Sequence, residues 1–184
     1  PAHERFAAVQ KHTDFSAFTE VTASAEVDGA RHGWRAKCLQ RLIRLDLPVP
    51  PTVALPADTV RAIAAGQMPD TERLAAVFKG ALVSLRPSPA NPDWGGPTTV
   101  LNVGMNDRKH AEIAAAHGSA LADAMYLGFV QAYAVNVARL DPDMFSAEPS
   151  PDAVRAVLAA YEDEMEEEFP QSPARQLAEV LRSM

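Results

Sequence analysis

Hydrophobic residues recur at helical spacing over most of the chain. In Arg35–Leu45 the leucines and the isoleucine lie mostly on one face and the arginines mostly on the other, which is typical of an amphipathic helix. The segment that follows Ser119 is apolar almost all round and predicts a helix buried in the core. Capping residues, glycines and prolines place the other predicted helices at Asp58–Ala65, about Thr71–Phe78, Asp107–His117, Pro151–Glu168 and from Pro173 onward.

The β-type patterns are short and lie in the first half of the chain. They cover Ala81–Leu85, Thr99–Val103 and Thr52–Leu55. The thirteen residues between the first two runs contain four prolines and Gly95–Gly96, so they form neither a helix nor a central strand. The sequence therefore predicts a helix-rich α+β fold, with a small α/β lobe over residues 1–106 and a helical subdomain over residues 107–184.

Composition narrows the class of protein. A net charge of −7 argues against nucleic acid or an anionic membrane as the main partner. The single cysteine excludes an internal disulfide and is typical of the cytoplasm, where we expect this protein. The most apolar stretch, Ala120–Leu140, contains polar and charged residues, so we expect it to be a core helix and no membrane span.

Arg86 stands where a predicted strand ends and the loop rich in Pro and Gly begins. A guanidinium that faces the bare backbone of Gly95–Gly96 suits an anion, because forked N–H donors and backbone amides both bind phosphate oxygens. The alternative is a surface charge beside a hairpin-like connection, and spacing alone favours that alternative.

Three blocks of the sequence recur, in the same order, in a known enzyme family. They are Leu45–Pro51, then Val83–Arg86 with Thr99–Asn106, then Phe169–Pro173 with Gln176–Leu177 and Leu181–Ser183. In the ATP-binding domain of pyruvate, phosphate dikinase the matching runs read Leu-Gly-Leu-Pro-Val-Pro-Pro, then Val-Ser-Val-Arg with Thr-Val-Leu-Asn-Leu-Gly-Leu-Asn, then Phe-Pro-Gln-Asp-Pro with Gln-Leu and Phe-Arg-Ser. The chain resembles that domain of the PEP-utilising enzymes over about residues 30–184.

The resemblance implies the first lobe of an ATP-grasp domain followed by a helical subdomain. In the family the chain then returns to a second lobe, and this sequence stops where that return would begin. The implied function is therefore ATP binding by an incomplete part of a kinase or phosphotransferase, with Mg²⁺ bound only if a second lobe is supplied. We expect no catalytic residue here and no catalytic competence of this chain alone.

The resemblance also implies three nucleotide-binding residues, Arg35, Arg86 and Gly95. Counted back from Leu47, the family's Gly-Gly-Lys-Gly turn falls on Gly33–Ala36, so Arg35 replaces a phosphate-binding lysine. Arg86 matches a phosphate-binding arginine, and Gly95 matches a loop glycine whose backbone faces the nucleotide. The alternative for Arg35 is a solvated residue near the start of a helix.

Other positions of the family pattern are not retained. Trp34 and Ala36 replace glycines, Ala90 replaces a second arginine, and Thr98 replaces an aspartate. A hydrogen bond to a charged group contributes about 1.5–3 kcal/mol. The loss of one or two such contacts would weaken ATP binding by roughly tens- to hundreds-fold.

No other residues predict a metal or catalytic site. The acidic run Glu162–Glu168 points all round a helix, so it indicates a solvated face. His110 and His117 could share a helix face, but the sequence offers no evident carboxylate or cysteine partner. Cys38 is expected to pack on the first helix.

Three functions remain open from the sequence. The chain is part of an ATP-binding domain that needs a second lobe, or a degenerate relative that serves as a non-catalytic binding or regulatory module, or a helical interaction protein without a ligand. A missing lobe would leave an apolar surface beside the Arg86 loop, which favours a protein partner or self-association.

Overall fold

The computed structural model describes residues 18–89 and 98–184, and they form an α+β fold in which helices predominate. Four short strands are β1 (Thr19–Glu20), β2 (Val53–Ala54), β3 (Val83–Leu85) and β4 (Val100–Val103). A 3₁₀ turn covers Pro142–Phe145. The helices are α1 (Gly29–Arg44), α2 (Ala57–Ala64), α3 (Thr71–Val77), α4 (Asp107–His117), α5 (Ser119–Asn136), α6 (Pro151–Met165) and α7 (Pro173–Ser183).

Short polar side chains begin most of the helices. Asp70, Ser150 and Ser172 accept hydrogen bonds from backbone amides in the first turns of α3, α6 and α7. The sequence prediction is one residue late at α4, where Asn106 caps the helix and Asp107 is its first residue. It is also wrong at α2, because the capping position is Pro56 and Asp58 lies within the first turn.

The two sheets have two antiparallel strands each: β1 pairs with β2 across the intervening helix α1, and β3 pairs with β4. In the second sheet Val83 pairs with Val103 and Leu85 with Val100, so β4 carries one extra residue between the two pairs. Asn102, with φ 60°, absorbs that residue as a β-bulge. The two β-type runs on either side of the Pro- and Gly-rich loop therefore pair with each other.

Helix α5 lies in the middle of the core, as its apolar sequence predicts. Tyr126, Phe129 and Tyr133 are almost fully buried, and their rings pack edge-on against neighbouring aromatic rings. Leu121 and Gly128 are exceptions on the apolar faces, since both are exposed. Within the described ranges, no helix combines the length and the apolar character that crossing a membrane requires.

One core cluster contains buried residues from both sides of Asn106, including Leu74 and Leu85 before it and Tyr161 and Val180 after it. The division into an α/β lobe and a helical subdomain after Asn106 stays a prediction. Gln176 ties the two parts together because it is fully buried and two of its three side-chain hydrogen bonds reach residues before Asn106. Its Oε1 accepts from the amide of Gly104 at 2.8 Å, and its Nε2 donates to the carbonyl oxygens of Met105 and Pro170.

Candidate functional site

Helix α1 is interrupted near its start, at Gly33, and the candidate site lies at this interruption. Asp28 caps the first turn by accepting hydrogen bonds from the amides of Ala30 and Arg31, both at 2.9 Å. Gly33 then interrupts the helix with φ 79° and ψ 161°, a backbone conformation that only glycine adopts without strain. The helix continues from Trp34. The resemblance aligns the family's Gly-Gly-Lys-Gly turn with Gly33–Ala36. Gly33, the one glycine of that turn retained in this chain, lies at the break.

The segment Pro87–Pro89, which follows β3, lies directly on this break. The Ser88 hydroxyl donates to the carbonyl oxygen of His32 at 2.9 Å and accepts from the amide of Ala36 at 3.3 Å. The amide of Trp34 donates to the carbonyl oxygen of Pro89 at 3.2 Å. Two amides at the second start of α1 are therefore bound by the protein's own chain. A phosphate group that used those amides would have to displace this segment.

The side chain of Arg35 contacts the same segment. Its Nε donates to the carbonyl oxygen of Pro87 at 3.0 Å, and Pro87 is the residue after Arg86. Both side chains are exposed, and among the described residues Arg86 has no hydrogen-bond or ion-pair partner. Arg35 thus contacts the residue that follows Arg86, and we call these two exposed arginines the two-arginine surface. Gly95, the third residue predicted to bind nucleotide, lies outside the described residues.

Two large apolar side chains are exposed near the two-arginine surface. Trp34 is 49% exposed, and its indole ring covers Gly29, where an added Cβ would lie 3.5 Å from the ring atoms. Leu101 is 48% exposed and follows Val100, the residue that pairs with Leu85 at the end of β3. These are two separate exposed apolar side chains, and the expected apolar patch beside the Arg86 loop stays a prediction.

His32 and Ser88 are site residues that sequence reasoning missed. His32 is almost fully buried, and its Nδ1 accepts from the amide of Asp28 at 3.1 Å. Its Nε2 therefore carries the proton of the neutral ring and donates to the Thr19 hydroxyl at 3.2 Å. The histidine fixes the turn that precedes Gly33. The sequence carries no signal for Ser88, because its hydroxyl bonds backbone groups of α1 that lie 52 and 56 positions earlier in the chain.

A second polar cluster joins α4, α5 and the start of α7. His110 Nε2 lies 2.7 Å from a carboxylate oxygen of buried Asp123, so the expectation that His110 lacks a carboxylate partner is wrong. The Tyr126 hydroxyl donates to Asp107 at 2.7 Å and accepts from Gln171. These bonds hold the helices together. Over the described ranges, no group of three or more His, Cys, Asp and Glu side chains is arranged to hold a metal ion.

The structure tests two further predictions made from the sequence, those for Cys38 and for the acidic run Glu162–Glu168. Cys38 is exposed on α1, so the prediction that it packs in the interior is wrong. The cause is its position on the solvent side of a helix whose buried face carries Ala36 and Gln40. The acidic residues of the run Glu162–Glu168 are exposed, as predicted. Glu167 forms an ion pair with Arg175 at 2.7 Å.

Comparison with known proteins adds no family assignment. No family model matches the sequence, and no curated protein matches it. The resemblance to the dikinase family therefore rests on the three sequence blocks, and whatever it implies about activity stays a proposal.

Proposed function

We propose that this protein binds a nucleoside triphosphate such as ATP through the two-arginine surface, as the incomplete half of an ATP-grasp-type site. The observation that carries the proposal is the contact of Arg35 Nε with the carbonyl oxygen of Pro87 at 3.0 Å. This contact joins a cation of α1 to the residue that follows a second cation, Arg86, at the end of β3. The resemblance to the pyruvate, phosphate dikinase family implies phosphate binding at both positions.

The chemistry of the two side chains supports a polyphosphate ligand. A guanidinium offers planar, forked donors that match two phosphate oxygens, and it stays charged at any physiological pH. The Nε of Arg35 is bound to Pro87, so its terminal nitrogens are the donors that remain for a ligand. Trp34 adds an exposed indole beside them, and aromatic faces stack on nucleobases.

The same geometry favours binding without phosphoryl transfer by this chain. Transfer needs Mg²⁺ held beside the β- and γ-phosphates and an aligned acceptor. The resemblance implies that the ligands of Mg²⁺ come from a second lobe. Ser88 and Pro89 also hold two amides that a phosphate could otherwise use. We propose that a second lobe or a protein partner completes the site.

Calorimetric titration with ATP and Mg²⁺ tests this proposal on the wild type and on Arg35→Ala and Arg86→Ala. We expect a dissociation constant between micromolar and low millimolar. Each substitution should weaken binding about tenfold or more, because each removes a charge-assisted hydrogen bond. Arg41→Ala is the matched control, since Arg41 is an exposed arginine on the same helix. The proposal fails if no heat is detected at high ATP, or if all three variants bind as the wild type does.

A second candidate is a non-catalytic interaction module, and the end of α1 favours it. Leu42, Leu45 and Leu47 are exposed together there, with 69% of Leu45 accessible. Exposed apolar clusters of this kind are typical of contact surfaces. Sedimentation equilibrium of the wild type and Leu45→Glu tests self-association through this surface. If only the wild type associates and neither binds ATP, this candidate replaces the first.

A further inference from the structure

Helix α1 carries large apolar side chains on the side that faces away from the protein. Trp34 is 49% exposed, Leu42 is 39% exposed, and Leu45, the residue after the helix, is 69% exposed. Their spacing keeps all three on one side of the helix axis, and we call them the apolar stripe of α1. The opposite side packs on the protein through the smaller or polar residues Ala36 and Gln40. The packing of α1 within the chain therefore leaves its apolar stripe uncovered.

The charges on the same helix are all positive. It contains Arg31, Arg35, Lys37, Arg41 and Arg44 and no carboxylate, although the whole chain has a net charge of −7. A surface that covers the apolar stripe therefore has to supply carboxylates, because like charges brought together across an interface repel each other. Two copies of α1 laid against each other would place arginines against arginines. The apolar stripe does not suit pairing with itself.

The exposed side of α6 has the complementary character. Ala156 and Ala159 are exposed in the middle of the helix, and Glu162 and Asp163 are exposed one turn further on. We call these four residues the acidic face of α6. Arg155, the one cation of this helix, is already bound to a carboxylate in its own first turn. Small side chains flanked by carboxylates offer another helix both a close approach and opposite charge.

The carboxylates of α6 lie where the helix itself disfavours them. Glu162, Asp163 and Glu164 are in its last turn, which contains no basic residue, and the C-terminal end of a helix is the negative end of its dipole. Over the described ranges, Glu162 and Asp163 have no ion-pair partner. A basic surface laid on this end of α6 would compensate a charge that the chain itself leaves uncompensated.

We propose that two copies of this chain associate, with α1 of each copy laid on the acidic face of α6 of the other. The apolar stripe covers the exposed alanines, and the arginines beside it pair with Glu162 and Asp163. Because each copy carries both surfaces, a two-fold arrangement forms this contact twice. The proposal rests on the second candidate function, association through the exposed leucines at the end of α1, and it names the surface that those leucines contact.

Sedimentation equilibrium of two charge-reversed variants, in the absence of nucleotide, tests this proposal. Arg31→Glu/Arg41→Glu makes α1 acidic, and Glu162→Lys/Asp163→Lys makes α6 basic, so each variant alone would bring like charges together in both contacts. We expect the wild type to dimerise at about 100 μM protein and each variant alone to associate at least about tenfold more weakly. An equal mixture of the two variants should associate as the wild type does, because every contact of the mixed dimer again joins opposite charges.

Arg108→Glu/Arg182→Glu is the matched control, because it changes the net charge by as much as the α1 variant does, at exposed arginines of α4 and α7. It should associate as the wild type does. Recovery in the mixture also shows that both charge-reversed variants are folded.

The proposal is overturned if the wild type stays monomeric, if the control weakens association as much as the α1 variant does, or if the mixture stays monomeric. Association that Leu45→Glu abolishes but that the mixture does not restore would keep the second candidate function and overturn the pairing with α6. Binding of a monomeric wild type to phosphatidylglycerol vesicles would overturn it in favour of an anionic membrane as the surface that covers α1.

Discussion

Gly33 lies against the backbone of Ser88 so closely that a Cβ atom added to Gly33 would be 1.6 Å from the Ser88 carbonyl oxygen. No side chain fits in that space, and the backbone of Gly33 is in a conformation that L-residues rarely adopt. This approach is what lets Ser88 bind both His32 and Ala36. The glycine is thus required by the contact between α1 and the segment after β3.

Gly33→Ala should lower the free energy of unfolding by more than about 3 kcal/mol, because backbone strain of about 1–3 kcal/mol adds to the steric overlap. Gly66→Ala is the control, since Gly66 also has a positive φ but has no atom within 4 Å of an added Cβ. It should lose only about 1–2 kcal/mol. Urea unfolding followed by circular dichroism measures both values. Equal losses would mean that the contact with Ser88 is not tight.

Gln176→Ala should destabilise the protein by about 3 kcal/mol or more, because it leaves a buried amide and two carbonyl oxygens without partners. Gln176 has no exposed surface, so water cannot replace the lost bonds. Gln67→Ala is a control at an exposed glutamine and should change stability by less than about 0.5 kcal/mol. Chemical denaturation of both variants checks the difference. A loss at position 176 no larger than at position 67 would contradict the bonding described for Gln176.

The protein should lose stability at alkaline pH. All three tyrosines of the chain, Tyr126, Tyr133 and Tyr161, are almost fully buried, and burial is the main cause that raises the pKa of each hydroxyl. Their contribution to stability is complete below pH 10, where unfolded tyrosines stay protonated. It is lost above that pH, because the unfolded chain releases protons that the folded chain keeps.

For Tyr161 the loss extends from about pH 10 to its folded pKa of about 12. We expect little tyrosinate absorbance while the protein stays folded, followed by a rise that coincides with the loss of helical circular dichroism. Tyr161→Phe should make the decline in stability with pH shallower. Tyrosinate that forms near pH 10 in the folded protein would show that these hydroxyls are accessible.

Cys38 should react with a thiol reagent in the native protein. It is exposed on α1 and is the only cysteine in the chain. We expect one equivalent of thiol to react without denaturant, at a rate within about tenfold of that in urea-unfolded protein, because exposed thiols need no unfolding step. Cys38→Ser is the blank. Reaction only after addition of urea would place the thiol in the interior.

Most helices and the hairpin of β3 and β4 could be predicted from local chemistry. Serines followed by proline start α6 and α7, and Asp70 caps α3, because these signals act within one turn of the chain. The bulge at Asn102 could not be predicted, since it depends on how two strands pair across the loop. The start of α1 was predicted too late because Gly33 breaks the helix without ending it.

The candidate site was predicted in part. The family resemblance identifies Arg35 and Arg86, whereas the contact between Arg35 and Pro87 joins residues 52 positions apart and has no local signal. Ser88 has no distinguishing sequence signal of its own, since its role is fixed by backbone groups of α1. The sequence does not reveal the carboxylate partner of His110, because that partner, Asp123, lies on the next helix and thirteen positions away. Contacts between residues this far apart in the sequence are set by how the helices and loops pack against each other, so local sequence signals do not predict them.

The bonding of Gln176 also has a consequence during protein synthesis. The amide of Gly104 receives its partner from a residue that is translated 72 positions later. Until the ribosome has passed Gln176 and released α7, the backbone after β4 lacks its partners. Nascent chains arrested before this point should therefore be more susceptible to protease and more dependent on chaperones than chains that carry the last helix.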